Sequence, residues 1–126
     1  MEDFYYSKLK VYHQAKALVA EIYNLCKNFP SQESYGLTNQ IQRAAVSIPS
    51  NIAEGMGRFS IKERVHFIEI SYGSLMEVMC QLEVAELLHY ITSEQLAIEE
   101  KSITEIAKML IGLRRTMEDK MINNNV

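Results

Sequence analysis

The pattern of apolar and polar residues predicts two helices in the N-terminal half of the chain. Apolar residues recur at three- and four-residue spacing from about Leu9 to Asn28, and Pro30 then stops the pattern. A second helix is predicted to begin near Ser34 or Tyr35. Its apolar stripe consists of Leu37, Ile41, Ala44, Ala45, Ile48 and Ile52.

Local signals mark where the second helix ends and where two more helices begin. The Gly55–Gly57 segment is predicted to end helix two, because glycine adopts a left-handed conformation at little cost. Ser60 and Glu63 form a capping box that opens helix three, and Thr92 and Gln95 form a similar cap for helix four. The inward residues are Val65, Ile68, Tyr72, Leu75, Met79 and Leu82 in helix three, and Leu96, Ile103, Ile106, Ala107, Leu110, Leu113 and Met117 in helix four.

Short connections between long helices favour antiparallel neighbours, so these four helices predict an all-α fold, an antiparallel up-down-up-down four-helix bundle. The length of 126 residues fits one domain. We predict that this domain spans residues 1–121 and that residues 122–126 form a frayed tail. The amino-acid composition also favours long helices, because Leu, Ile, Met, Ala and Glu are abundant while Gly and Pro are few.

The sequence contains no signal peptide and no apolar run of the roughly 18 residues that a membrane span needs. We therefore expect a cytoplasmic protein with no membrane partner. Cys26 and Cys80 both lie on apolar-periodic segments and do not have metal-site spacing. We expect both to be buried, reduced thiols.

Polar residues of helix two form a continuous ridge, since they lie four, four, three and four residues apart. The ridge consists of Arg43, Ser47, Asn51, Glu54 and Arg58. One interpretation is a solvated face. However, Ser and Asn are poor residues for a helix interior, which favours a crowded contact within the bundle or between protomers. We expect Arg43 to pair with Glu54 of the ridge or with Glu77 of helix three.

Pro49 lies inside helix two and predicts a kink, because it cannot donate a hydrogen bond to the Ala45 carbonyl. A proline at such a position lowers the stability of an unperturbed helix by about 3 kcal/mol. Ser47, Ser50 or Asn51 is expected to bond to the freed carbonyl, within the chain or from a neighbouring one.

Charged residues are predicted to divide between two ends of the bundle. The end with the helix-one start, the turn between helices two and three and the helix-four end has eight basic and six acidic residues. We call it the basic pole; the opposite end, the acidic pole, has two basic and seven acidic residues. The net charge of -3 argues against uniform attraction to nucleic acid. A local contact with RNA or DNA is therefore assigned to the basic residues Arg58, Lys62, Arg64, Arg114 and Arg115.

The alternative interpretation of these residues is ordinary surface charge, since basic side chains near the end of helix four also favour its dipole. Aromatic stacking platforms are not evident, because Tyr5, Tyr6 and Phe59 are scattered along the sequence.

No phosphate-binding loop or nucleophile motif appears, and we predict a non-enzymatic protein without a cofactor or metal. Two Glu-x-x-His pairs, Glu63 with His66 and Glu86 with His89, have the spacing used by di-metal sites in bundles. Both pairs lie on helix three, about 34 Å apart at 1.5 Å per residue. They therefore cannot share a metal ion within one chain.

The runs GLTNQIQRAAVSIPSNIAEGMGR and FIEISYGSLMEV, residues 36–58 and 67–78, closely resemble the 23S rRNA intervening-sequence protein family. The fold resemblance extends to the accessory variability determinant of diversity-generating retroelements. Matching positions are Leu37, Thr38, Gln40, Arg43, Ala44, Ser47, Ile48, Asn51, Ile52, Ala53, Glu54, Gly55, Arg58, Ser60, Glu63, Phe67, Gly73, Ser74 and Glu77.

The resemblance implies a four-helix bundle that assembles as a homopentameric ring and a role in binding nucleic acid. For the retroelement relatives it implies a ring that binds a reverse transcriptase and RNA through a basic surface. Two functions follow as expectations. One is a ring-forming scaffold for nucleic acid or a reverse transcriptase, and the other is a self-associating bundle that binds another protein or a small ligand.

Overall fold

The structure, a computed structural model, describes the backbone of residues 4–124 and the side chains of residues 4–122. Four α-helices make up most of it: α1 (Lys10–Cys26), α2 (Leu37–Met56), α3 (Ile61–Leu87) and α4 (Ser93–Asn124). Short 3-10 turns at Tyr5–Lys8 and Ser31–Glu33 precede α1 and α2. The all-α prediction is confirmed.

The helices pack in a closed circuit. Contacts join α1 to α2, α2 to α3, α3 to α4 and α4 back to α1, most extensively between α2 and α3. Within residues 4–124, the diagonal pairs have no Cα atoms within 8 Å of each other. This arrangement is that of an up-down four-helix bundle, as predicted. No helix in this part of the chain is both long and apolar enough to cross a membrane.

Most of the residues predicted to face inward form the core. Six of those on α3 and α4 are only partly buried and pack against its edge: Val65, Tyr72, Met79, Leu96, Ala107 and Leu113. The largest fully buried side chains of the core are Leu18, Ile22, Ile41, Ile48, Ile52, Ile68, Leu75, Val78, Leu82, Ile106, Leu110 and Met117. Each such side chain contributes about 1.5–3 kcal/mol by leaving water, which makes this core the main source of stability. Cys26 is buried beside it, and burial raises the pKa of its thiol. The prediction for Cys80 was wrong: it is exposed, because the neighbouring Val78 and Leu82 take the inward positions of α3.

Each of the two helix starts has its predicted cap, although the described structure does not show the return bond from the Glu63 side chain to the Ser60 amide. The Ser60 hydroxyl accepts a hydrogen bond from the Glu63 amide at 3.1 Å. Thr92 and Gln95 form a full capping box. The Thr92 hydroxyl accepts a hydrogen bond from the Gln95 backbone amide at 3.1 Å, and the Gln95 side-chain oxygen Oε1 accepts one from the Thr92 backbone amide at 2.9 Å. These bonds satisfy amides that a helix start leaves without partners, and so they fix where α3 and α4 begin.

The start of α2 depends on a residue that the sequence reading overlooked. The helix begins at Leu37, later than predicted, and the Leu37 amide donates to Glu33 Oε1 at 3.1 Å. Glu33 Oε2 accepts a hydrogen bond from the Tyr90 hydroxyl at 2.9 Å. One carboxylate therefore caps α2 and ties it to the loop between α3 and α4.

The end of α2 lies where it was predicted, but the left-handed glycine expected there is not found among the described residues. Gly57 has φ -84°, a right-handed conformation, and no described glycine has a positive φ. Gly55 matters for packing instead, because a Cβ there would lie 2.6 Å from the Phe67 Cβ of α3. The left-handed residue is His89, with φ 64°, just after α3.

The last helix is longer than expected. It continues to Asn124, through part of the segment for which a frayed tail was predicted. Residues 125 and 126 of that predicted tail lie outside the described residues.

Candidate functional site

The polar ridge of α2 divides into an inward part and an outward part. Ser47 and Asn51 face α3: the Ser47 hydroxyl lies 2.9 Å from the Ser74 hydroxyl, and Asn51 Nδ2 donates to Ser47 Oγ at 2.8 Å. On α3, the fully buried Ser71 donates from its hydroxyl to the Ile48 carbonyl at 2.9 Å. We call these five residues the serine seam. It supports the crowded contact rather than a solvated face for this part of the ridge.

Pro49 is buried inside α2, which is continuous as a helix from Leu37 to Met56. The predicted kink is not shown by the structure and stays a prediction. The expected side-chain bond to the Ala45 carbonyl is not formed among the described residues. Instead, Asn51 Nδ2 donates to the Ser47 carbonyl at 2.8 Å, and the Ser71 bond reaches the Ile48 carbonyl next to the proline.

The prediction that Arg43 pairs with Glu54 or Glu77 was wrong. Glu54 pairs with Arg58 at 3.0 Å, and Glu77 accepts a hydrogen bond from Gln81 Nε2 at 3.2 Å. Arg43, Glu54 and Glu77 are all exposed, and Arg43 has no ion pair within the described part of the chain. The reason is helix rotation, since Arg43 lies beside Tyr23 of α1 and not against α3.

At the basic pole, Arg58 and Arg64 are held in place by neighbours. The Arg58 guanidinium pairs with Glu54 at 3.0 Å and lies 4.8 Å from the centroid of the Phe67 ring. Arg64 Nε donates to the Arg58 carbonyl at 2.7 Å. The turn between α2 and α3 therefore positions both cations, although Glu54 neutralises one of them.

Two cations from different helices meet at an aromatic ring that comes from the N-terminal turn. The Arg64 guanidinium lies 6.0 Å and the Lys120 ammonium 5.6 Å from the centroid of Tyr5. Tyr5 is 40% exposed, and Phe59 in the α2–α3 turn is fully exposed. The sequence reading treated these rings as scattered and did not assign Lys120 to the contact, because their proximity depends on tertiary packing.

The five residues assigned to nucleic acid do not form a single cluster. Arg58, Lys62 and Arg64 lie at the α2–α3 turn, and Lys62 is exposed without an ion pair in the described structure. Arg114 lies apart, between Glu69 at 3.4 Å and Glu118 at 3.7 Å. Arg115 is exposed, and no described ion pair joins it to the others.

Two grooves run along different sides of the bundle. The α1/α2 groove is mostly apolar, and its lining consists of Lys16, Val19, Ala20, Tyr23, Val46 and Pro49, with Arg43 in the adjoining depression. The α3/α4 groove is longer and mixes apolar with acidic side chains. Its lining includes Ile68, Glu69, Tyr72, Met76, Met79, Glu83, Leu96, Glu100, Ile103, Lys108, Ile111 and Arg114.

One carboxyl group is buried at the acidic pole. Glu99 of α4 is only 4% exposed, and one of its oxygens has no hydrogen-bond partner in the described residues. Burial, reinforced by a hydrogen bond with Glu21 and by the negative charge of Glu21, raises the pKa of Glu99 to about 8. Glu99 is one of the seven acidic residues assigned to the acidic pole, and its burial could not be predicted, since helical spacing alone does not show which polar residue a neighbouring helix covers.

The two Glu-x-x-His pairs are not brought together. In the part of the chain that the structure describes, no group of three or more His, Cys, Asp or Glu side chains is arranged to hold a metal ion. His89 takes its left-handed conformation in the loop after α3, and Glu63 lies in the cap of α3.

Comparisons with known proteins agree on one group. A family model described as 23S rRNA-intervening sequence protein matches residues 7–112. A similar solved structure is the crystal structure of a protein of unknown function from the S23 ribosomal protein family of Bacteroides thetaiotaomicron. It is 27% identical, covers 83% of this chain and 95% of its own, and superposes with a TM-score of 0.77. A comparison with curated proteins finds none that matches.

Proposed function

Because the chain belongs to the 23S rRNA-intervening sequence protein family, we propose that it is a non-enzymatic scaffold of the cytoplasm that self-associates and presents its basic pole to nucleic acid. The observation that carries this proposal is the complementarity of the two grooves. Each leaves apolar side chains at the surface, and their charges differ in sign.

The α1/α2 groove supplies cations and no carboxylate. Lys16 lies in its lining and Arg43 beside it, next to the partly exposed apolar side chains of Tyr23 and Val46, which are 44% and 40% exposed. A surface of this kind favours a partner that is apolar and acidic.

The α3/α4 groove has those properties. Met76 and Ile111 are 39% and 46% exposed there, and the carboxylates Glu83 and Glu100 line the same stretch. Lys108 also lies in this stretch, whereas Arg114 at the far end is already paired with acidic residues. The α3/α4 groove of one copy is therefore a suitable partner for the α1/α2 groove of the next.

Such a contact joins two different surfaces, so each copy still offers one free groove to a further copy. Contacts of this kind close into rings when the rotation between copies is right. The resemblance of the sequence supports five copies, and copies with parallel axes would gather their basic poles on one side. That side would concentrate a positive field that the net charge of -3 conceals.

The non-enzymatic assignment is supported by the chemistry of the grooves. Neither groove has a described His or Cys in its lining, so neither contains the usual nucleophile and base pair. Ser47 is in the depression beside the α1/α2 groove, but its hydroxyl bonds to Ser74 and no imidazole lies near it in the described lining.

Val46→Glu tests self-association. A carboxylate in the α1/α2 groove would face the acidic groove of the next copy, and we expect the assembled form to dissociate to monomers in analytical ultracentrifugation. Val84→Glu is the matched control, because Val84 is 37% exposed on α3 and lines neither groove. A wild-type protein that stays monomeric at high concentration would overturn the proposal.

Nucleic-acid binding is tested separately at the basic pole. Binding should weaken as salt rises, and Lys62→Glu should weaken it further, because phosphate contacts release counterions. Lys101→Glu at the acidic pole is the control with the same charge change. The absence of binding by the wild type at low salt would remove this part of the proposal and leave self-association standing.

The alternative function keeps self-association but replaces nucleic acid and the reverse transcriptase by another protein or by a small ligand. It is favoured by the ion pairs of Arg58 and Arg114, which reduce the charge available to phosphates. A neighbouring reverse-transcriptase gene or a ribosomal RNA locus would favour the nucleic-acid role or its enzyme partner.

A further inference from the structure

We propose that the basic pole binds an unpaired nucleic-acid strand, with bases stacked on Tyr5 and Phe59 and phosphates contacted by Lys62, Arg64 and Lys120. This inference rests on the proposed nucleic-acid contact and specifies its ligand as a single strand. It is carried by Tyr5, Arg64 and Lys120, which lie far apart in the sequence and meet at the basic pole, and by the exposed Phe59 in the α2–α3 turn of the same pole.

The first observation is the environment of Tyr5. Its ring is 40% exposed and has Arg64 of α3 at 6.0 Å and Lys120 of α4 at 5.6 Å from its centroid. Both cations lie over the ring at distances near the outer limit for a cation–π contact, so these contacts are loose and part of the Tyr5 side chain stays accessible. An exposed ring between two cations can stack a base while the cations contact the phosphates on either side.

The second observation is Phe59. It is fully exposed in the α2–α3 turn, and its chain neighbourhood contains Arg58 and Lys62. Arg58 is already paired with Glu54, so Lys62, which has no ion pair in the described structure, is the cation available to a phosphate beside a base stacked on this ring. The α2–α3 turn is held by the Arg64 hydrogen bond to the Arg58 carbonyl at 2.7 Å, which limits its freedom before binding.

A single strand fits these features better than a duplex does. In a duplex the base faces are covered by neighbouring pairs, and nonspecific binding proceeds through phosphates alone. Exposed aromatic rings would then add little to the affinity for a duplex. An unpaired strand offers base faces, and stacking supplies affinity that is tolerant of sequence at a pole with modest charge.

The experiment measures binding of labelled oligonucleotides of about 12 nucleotides, a length within the usual site sizes for such surfaces. The full chain at low salt is titrated with oligouridine, with single-stranded DNA of matching length and with an RNA duplex, and fluorescence anisotropy reports binding. We expect both single strands to bind more tightly than the duplex. Their relative affinities show whether RNA or DNA is preferred.

Tyr5→Ala and Phe59→Ala are each expected to weaken single-strand binding by about 5- to 150-fold, the usual effect of losing one stacking ring. Tyr5→Phe keeps the ring and should retain binding. Tyr35→Ala is the matched control, because Tyr35 is 97% exposed beside the start of α2, at the acidic pole. Circular dichroism melting curves establish that each variant is folded.

The outcomes separate this inference from the function on which it rests. Equal affinity for duplex and single strands, with binding unchanged in Tyr5→Ala and Phe59→Ala, would overturn stacking and leave the nucleic-acid role intact. Failure of the wild type to bind any of the three probes would overturn both. Equal losses in Tyr35→Ala and Phe59→Ala would also overturn it, since the effect would not belong to the basic pole.

Discussion

The two poles of the bundle use polar side chains in opposite ways. At the acidic pole, Glu33 caps α2 and accepts a hydrogen bond from Tyr90, while Glu99 is buried against Glu21. At the basic pole, Phe59 is fully exposed, and several cations remain at the surface. The comparison indicates that the acidic pole covers polar side chains with neighbouring elements, at a cost in the case of Glu99, whereas the basic pole leaves Phe59 and Lys62 exposed.

The largest expected effect concerns Glu99 at high pH. Its folded-state pKa is about 8 and its ordinary value 4.5, so between these values the folded state keeps a proton that the unfolded state releases. This group therefore lowers stability as pH rises from about 4.5 to 8. Glu99→Gln removes the cost, and we expect it to raise the free energy of unfolding by about 3 kcal/mol at pH 8 and far less at pH 5.

Chemical denaturation at several pH values measures the difference between Glu99→Gln and the wild type. Glu21→Gln is a useful companion, because removing the neighbouring charge should lower the pKa of Glu99 and reduce the pH dependence without abolishing it. A difference between Glu99→Gln and the wild type that stays constant from pH 5 to pH 8 would contradict the assignment of a buried, protonated carboxyl group.

The next effect compares two glutamates near helix starts, Glu33 at the acidic pole and Glu63 at the basic pole. Glu33→Ala removes the bonds to the Leu37 amide and the Tyr90 hydroxyl, and we expect a loss of about 2 kcal/mol in thermal or denaturant unfolding. Glu63→Ala at the basic pole is the control. Glu63 is exposed, and its described capping bond uses its backbone amide, so the loss should stay below about 0.5 kcal/mol. Equal losses would remove the contrast between the poles.

The smallest expected change in stability is at the basic pole itself. Lys62→Ala and Phe59→Ala alter exposed side chains, and each should shift the free energy of unfolding by less than about 0.5 kcal/mol. The same variants are expected to weaken nucleic-acid binding. A loss of stability above about 1 kcal/mol in either variant would show that these residues support the fold and would weaken the comparison.

The sequence predicted the features of the fold that depend on neighbours along the chain. Helical spacing identified the buried stripes, and the Ser60 and Thr92 caps are formed by residues three positions apart. The bond between Tyr90 and Glu33 joins residues 57 positions apart, and no local pattern indicates it. The candidate site was harder to predict for the same reason, since Lys120 approaches Tyr5 only after the bundle closes.

The remaining errors arose because the sequence does not fix how each helix is rotated about its own axis. The spacing of the ridge correctly placed its residues on one side of α2, but it could not show which of them face α3. Ser47 does, and Arg43 lies toward α1. The same uncertainty explains Cys80, which is exposed although it lies between the buried Val78 and Leu82 in the sequence of α3.

The serine seam removes a degree of freedom that apolar packing leaves open. Hydrophobic contact opposes separation of two helices, but it has no direction and resists sliding along their axes less specifically. Bonds from Ser74 to Ser47 and from Ser71 to the Ile48 carbonyl are satisfied at one axial offset between α2 and α3. Since α2 forms one groove and α3 the other, the seam also sets the relative height of the two surfaces through which copies of the chain would meet.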